Sequence, residues 1–515
     1  MTAGLLAAAL SLHGLPARAA AVPGNLPALG EDADASLSPA AERALGERIM
    51  RSIRPDPDYI DDPELLAYLD GQIWQRLLAA ARQRGEITSE LDPRFAWQAF
   101  LVRDRTVNAF ALPGGFVGVH LGLIAVTSDR DQLASVLAHE LSHVTQRHIV
   151  RSIGTQQRQS LVSLASIVLG VLAASKAPQA AQALITGGQA VALQGQLNFS
   201  RDMEREADRV GFGVLTTAGF DPAGMAAMFE KLAQASQLND TLDYPYLRSH
   251  PLTTERIGEA RARLGPGLRP LATQVDVVHQ LMRERARVLM EPRAIALRPM
   301  IDEAAAAPPA AQNAVLAVTR GYAGVLAATL LRDDNLAVKA LAQLDERLRR
   351  LPADQQSALQ PAMTRLRAEA ALARGDAAAA DIALAGLAQD TGRPALILHA
   401  RRALLTGDPE RLQAAAAALQ LRVSTAGEDA QSWTLLGQCW ERLGQPLRAA
   451  RAHAEASVAS GRVAEAVDRL RAAQRQARAR SATPADFVEL SVIDARLQAL
   501  EAELQQMRRE DRAGS

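Results

Sequence analysis

Histidines at 139 and 143 bracket a glutamate in Ala138-His139-Glu140-Leu141-Ser142-His143, the smallest set of side chains that can make a zinc hydrolase. Residues four apart share one face of an α-helix, so both imidazoles can offer a ring nitrogen to a single tetrahedral ion. Glu140 then stands beside them as a general base and not as a ligand, in reach of a water whose pKa a metal lowers to about 7. Hydrolysis of a carbonyl compound, a peptide bond above all, is the chemistry this spacing supports.

A helix must carry these groups. Thr127-Ser128-Asp129-Arg130-Asp131 provides a capping hydroxyl and a first-turn carboxylate ahead of Leu133, Val136 and Leu137, which predicts a half-buried helix with its apolar stripe turned inward. Two imidazoles and a water leave one protein ligand to be found. His148 lies nine residues after His139, roughly opposite on a continuing helix, and no glycine marks a bend that would bring it back. It reads as a structural histidine.

Glu204, in Ser200-Arg201-Asp202-Met203-Glu204-Arg205-Glu206-Ala207-Asp208, is the better candidate. Glu204 and Asp208 are like charges at i and i+4, an arrangement that costs an isolated helix a few tenths of a kcal/mol and that a cation and an imidazole N–H would relieve. Glu204 is therefore expected to be the third ligand of one Zn2+ per chain, with Asp208 accepting the free ring N–H of a ligand histidine and fixing its tautomer. A solvated helix paired by Arg201, Arg205 and Arg209 is the alternative that the local sequence leaves open. A His/His/Glu set could also hold other divalent ions.

These segments resemble the M48 peptidases, zinc endopeptidases with a glutamate as third ligand. His139-Glu140-x-x-His143 is similar to that family's metal helix, Glu204-Arg205-Glu206-Ala207-Asp208 to its second signature, and Asn108-Ala109-Phe110-Ala111-Leu112-Pro113-Gly114-Gly115 to the segment before the helix. The likeness covers roughly Ser38 to Ala272. Read physically, Val107 to Ala111 and Phe116 to Val119 are two extended runs joined by turn chemistry, either an ordinary core hairpin or an edge strand able to pair with an extended substrate. Tyr244-Pro245-Tyr246-Leu247-Arg248-Ser249-His250-Pro251, followed by Arg256, resembles the family's Ser/Thr-His-Pro segment. That resemblance implies that His250 can approach the zinc from its open side. There it would displace the catalytic water, as a fourth ligand and latency switch, or swing away and stabilise the oxyanion, a catalytic role.

The fold expected is mainly α: a helical zinc metallopeptidase domain with a small β-hairpin or sheet over 38–272, then an α-solenoid of tetratricopeptide-like repeats over 273–482, and a C-terminal helix and tail over 483–515. The repeat assignment rests on turns at Gly375, Gly407 and Gly444, spaced 32 and 37 residues apart, and on Trp433, Leu436, Gly437, Trp440 and Ala449 at packing offsets. Residues 1–19 read as a signal peptide, with an apolar run from Leu5 to Leu12 and Ala17-Arg18-Ala19 before Ala20, and 20–37 as a linker. The usual basic region is missing, so either the start is late or the signal is weak; the expected location is the periplasm. No cysteine follows the apolar run, so no lipid anchor is expected, and Cys439 is the single cysteine. Residues 161–174 are uncharged but fall short of the about 20 needed to cross a bilayer. They predict a buried or partly exposed helix that touches a membrane peripherally, a partner or the active-site mouth.

Balanced charge, 57 basic against 57 acidic residues, gives no case for nucleic acid. Stacked helical repeats make a concave surface for peptides or proteins. A zinc peptidase followed by such repeats resembles periplasmic members of the family. This implies stalled or misassembled outer-membrane β-barrel proteins as substrates and the barrel-assembly machinery as a partner docked on the repeats. The alternative is a chaperone or assembly scaffold whose metal site is mostly latent.

Overall fold

The computed structural model describes residues 37–152, 200–238, 246–265, 276–306, 314–478 and 484–514. The expected signal peptide, linker and apolar segment 161–174 lie outside the described residues, apart from Leu37. Ser38 caps helix α1 (Pro39–Ile53), and Asp62 caps α2 (Pro63–Tyr68), each with a proline in the first turn, where a missing N–H costs nothing. A single π-helical turn continues α2 into α3 (Gln75–Gln83).

Four short strands follow the order β1-β2-β4-β3: β1 (Tyr59–Ile60), β2 (Gln98–Val102), β3 (Ala109–Leu112) and β4 (Phe116–His120). The expected hairpin is β3–β4, antiparallel with Ala109 opposite Val119 and Leu112 opposite Phe116, and β3 is the terminal strand of the sheet. Its turn uses Gly114 and Gly115 at φ 75° and 92°, and a Cβ on Gly114 would sit 2.7 Å from Arg43 Cα. Strand β4 leads directly into α4 (Leu121–Val126).

Asp129 caps α5 (Arg130–Thr145), the helix bearing the two histidines. The sequence predicts a half-buried helix, yet α5 is buried on every face from Gln132 to Thr145. Strands β3 and β4, α7 (Arg201–Thr217) and α8 (Ala223–Leu238) enclose it. Its hydroxyls tolerate this because they bond within the helix, as Ser142 Oγ does to Ala138 O at 2.7 Å. After α5 the chain turns sharply into α6 (His148–Ser152); α9 (Tyr246–Ser249) and α10 (Thr254–Leu264) complete the site region.

From Val277 onward the described elements are all helices, ending in a 31-residue helix, Pro484–Gly514. Helical hairpins turn at Gly375, Gly407 and Gly444, each at φ near 70°, where a side chain would be strained. Gly437 faces the His453 ring, and a Cβ there would lie 2.6 Å from it, which accounts for a small residue in the middle of a helix. No described helix is long and apolar enough to cross a membrane.

The hydrophobic core does not end near residue 272. One cluster runs from Leu65 through Val144 and Phe229 to Leu326, Leu366 and Ala370. Helix α11 (Val277–Met290) packs on α4, and its His279 Nε2 reaches the Thr127 carbonyl at 3.2 Å while Nδ1 lies 2.7 Å from the Tyr68 hydroxyl. Burial lowers this imidazole to about 4, so near neutral pH it is uncharged and serves as a fixed link between helices.

Charge ties the same regions together. Asp61, Asp62 and Glu64, at the start of α2, pair with Arg393 at 2.6 Å, Arg285 at 2.7 Å and Arg365 at 2.6 Å respectively. Arg285 is buried and also meets Glu369 and the Tyr322 hydroxyl. Removing its guanidinium would leave Asp62 uncompensated. Arg285→Ala should therefore cost about 3–5 kcal/mol in urea unfolding, against no more than about 1 kcal/mol for Arg287→Ala in a half-exposed pair.

Candidate metal centre

Two helices cross closely at the centre of the protein. A Cβ on Gly211 of α7 would lie 3.1 Å from the Ala138 carbonyl and the His139 amide nitrogen of α5. That approach brings Glu204 and Asp208, two turns and one turn before Gly211 respectively, against the ring edges of His139 and His143. His250, just after α9, closes the remaining side.

Single donor atoms from His139, His143, Glu204 and His250 all lie within 4.8 Å of one another, and all four residues are buried. His139 Nε2 is 3.0 Å from His143 Nε2 and 3.4 Å from His250 Nδ1; Glu204 Oε1 is 2.9 Å from His250 Nδ1 and 3.5 Å from His143 Nε2. A tetrahedral zinc with bonds of 2.0–2.1 Å needs donors separated by about 3.3 Å. The cage therefore fits one zinc ion. Both carboxylate oxygens of fully buried Glu140 lack a well-formed hydrogen bond among the described residues, and Glu140 Oε1 stands 3.5 Å from His250 Nε2.

The outer edges of the rings are also held. His139 Nδ1 lies 2.9 Å from Asp208 Oδ1. Arg256 grips Asp208 with two bonds, Nε to Oδ2 at 2.7 Å and Nη2 to Oδ1 at 2.8 Å, and its Nη1 is 2.8 Å from Glu204 Oε2. This arginine thus compensates both carboxylates of the i, i+4 pair, a role that motif reading did not assign. The signal was there: two buried like charges need a cation besides the ion.

His148 differs from the sequence reading in position, though not in standing outside the cage. Instead of facing away on a continuing helix, it lies 2.9 Å from His143, ring nitrogen to ring nitrogen. Helix α5 stops at Thr145, and Arg147 takes φ 54° without being a glycine, which reverses the chain into α6. Such backbone costs about 1 kcal/mol or more. Arg147 Nε to Glu42 Oε2 at 2.8 Å and a bond from its guanidinium to the Leu37 carbonyl hold it there. His148 remains outside the donor cage.

Electrostatics separates the groups. Burial opposes charge on His139, but Asp208 and Glu204 overcome it and raise that ring to about 10. Burial and the neighbouring His139 and His250 charges push His143 well below its ordinary value. Burial would raise Glu204, yet His250 and His139 hold its carboxyl far below the carboxylate range. Glu140 goes the other way, pushed up by burial in spite of the opposing His250 and His139 charges.

Residues 70–264 match Peptidase family M48. The chain carries an M48 peptidase domain. Zinc is the metal of that family, and the four-residue cage suits one ion per chain. The chain is 38% identical over 262 residues to a putative β-barrel assembly-enhancing protease of Vibrio cholerae, covering 51% of this chain and 52% of that protein. It is 35% identical over 250 residues to the β-barrel assembly-enhancing protease of Escherichia coli, covering 48% and 49%. A mitochondrial metalloendopeptidase of Schizosaccharomyces pombe is 33% identical over 213 residues, or 41% and 54%. The chain spans about half the length of the curated relatives it matches.

His139 must lose its proton before its lone pair can serve an ion, so zinc loading of the M48 domain should release at least about one proton near neutral pH. Calorimetry in buffers of different ionisation enthalpy checks this. The binding heat should scale with the buffer's heat, and affinity should fall as pH is lowered.

Proposed function

We propose that this chain is a zinc metalloendopeptidase in which Glu140 is the general base, His139, His143 and Glu204 hold the ion, and Asp208 orients His139. The observation that carries the reading is the cage itself, four convergent donors with an otherwise unsatisfied carboxylate at its mouth. When bound, zinc supplies Lewis acidity, acidifying water and polarising a carbonyl. Glu140 takes the proton of the attacking water and delivers it to the leaving amine, and its raised carboxyl brings its basicity nearer to neutral pH. Strand β3 lies against α5 at the edge of the sheet, and the Ala111 backbone faces Glu140. An extended substrate pairing there would bring its carbonyl to the base through main-chain bonds, with little demand on its sequence.

His250 stands between the base and the cage. With its Nδ1 among the donors and Nε2 beside Glu140, it holds the site latent, and cleavage requires it to move. The names of the two bacterial relatives speak of β-barrel assembly, and the substrates proposed for this chain are outer-membrane β-barrel proteins, unfolded or stalled in assembly, in the periplasm. The helical hairpins within 273–482 are then tetratricopeptide-like repeats that recruit substrate or the barrel-assembly machinery.

One observation favours a second reading. Four protein donors without a vacant position are the mark of structural zinc sites. The chain would then act as a chaperone or assembly scaffold with a seldom used metal. Cleavage of casein and of an unfolded porin distinguishes the two. Glu140→Gln should lower cleavage by about 10²–10⁴ with zinc content unchanged, whereas His250→Ala should raise it. Cleavage that survives Glu140→Gln would sink the mechanism, and none even in His250→Ala would leave the scaffold.

A further inference from the structure

His148 has no exposed surface, and both its ring nitrogens are engaged. Nδ1 lies 2.9 Å from His143 Nδ1, and Nε2 lies 3.0 Å from Glu206 Oε2, which also accepts Arg151 Nη1 at 2.9 Å. The two rings meet edge to face, with centroids 4.9 Å apart.

A single arrangement of protons makes these contacts compatible with a metal. His143 turns Nε2 into the cage, 3.0 Å from His139 Nε2, so that nitrogen must present a lone pair. The ring proton of neutral His143 is then on Nδ1 and is donated to His148 Nδ1. His148 in turn carries its proton on Nε2 and donates it to the Glu206 carboxylate, which only accepts. The chain has one direction, from His143 through His148 to a carboxylate whose far side is partly open to solvent.

We propose that His148 is a positioning residue of the metal centre: it accepts the Nδ1–H of His143, and Glu206 fixes the tautomer of His148 in its turn. This rests on the metal-centre reading, not on proteolysis. It gives the two ligand histidines different supports. His139 leans on the charged carboxylate of Asp208 within the cage helices, whereas His143 leans on a neutral imidazole delivered by the bend at Arg147. It also gives the second signature a further task, since Glu206 works on the opposite side of α7 from Glu204 and Asp208.

The test uses the full chain, competition for zinc against a chromophoric chelator, and the visible spectrum of the cobalt-loaded protein. His148→Phe keeps the volume and removes the acceptor; His148→Asn puts a carbonyl oxygen near the place of Nδ1. The expected result is a 10–100-fold loss of zinc affinity in His148→Phe with a changed cobalt spectrum and unchanged circular dichroism. His148→Asn should regain most of the affinity, and Glu206→Ala should lose part of it. Wild-type affinity and spectrum in His148→Phe would overturn the assignment, as would equal losses in the Phe and Asn variants, which would make the role one of packing. If His148→Phe does not fold, Glu206→Ala decides, and unchanged affinity there overturns it. A wild-type chain that binds no zinc would instead refute the metal centre itself.

Discussion

Two carboxylates one helical turn apart, Glu204 and Asp208, are buried in the middle of this protein, and much else follows from the need to neutralise them. Neither could stay ionised alone in such surroundings. Arg256 bridges the pair, and the imidazoles of His139 and His250 complete the compensation. Helices α5 and α7 must therefore pack at backbone distance, which a glycine at 211 permits. Helix α10 must dock where its arginine can reach both acids. The site is less a set of ligands attached to a scaffold than a balanced group of charges around which the helices are obliged to meet.

That balance explains how charged groups can be buried at the site, and the place of His250. The Tyr246 ring lies 4.7 Å from the His250 ring on the same short segment and packs against it. On the proposed reading, moving His250 would expose Glu140, whose carboxyl has no well-formed hydrogen bond among the described residues. A site that opened in this way would keep its base protected from solvent until a substrate of the right shape replaced the histidine. In the proposed enzyme, selectivity would thus come from access, while main-chain pairing at β3 leaves side-chain identity nearly free.

The features legible in the sequence were those fixed by local geometry. His139 and His143 at one helical turn, the unfavourable Glu204–Asp208 pair, and glycines at 114, 375, 407 and 444 each announce themselves within a few residues, although the cap of α5 is the Asp129 carboxylate and not the hydroxyl expected. Features that depend on distant neighbours did not. The full burial of α5 needs four other elements to surround it. The bend after Thr145 is held by Glu42 and Leu37, more than a hundred residues earlier, so a strained arginine does the work for which a glycine would be sought. Arg256 could be read only as part of the segment after His250, because its role depends on two carboxylates from another helix converging on it. The core running past residue 272 was hidden for the same reason, because alanine-rich helices look alike wherever they pack.

The acidic turn at Asp61, Asp62 and Glu64 bears on how the chain reaches this state. Its partners Arg285, Arg365 and Arg393 follow 223, 301 and 332 residues later. During synthesis the early segment must wait, charged and unpaired, for most of the chain to arrive, and non-local closure of this kind is slow. In the proposed enzyme, the segment that carries the metal centre thereby draws part of its stability from the later helices. A truncated or stalled product would lack these ion pairs, so that an incomplete copy is also a less stable one.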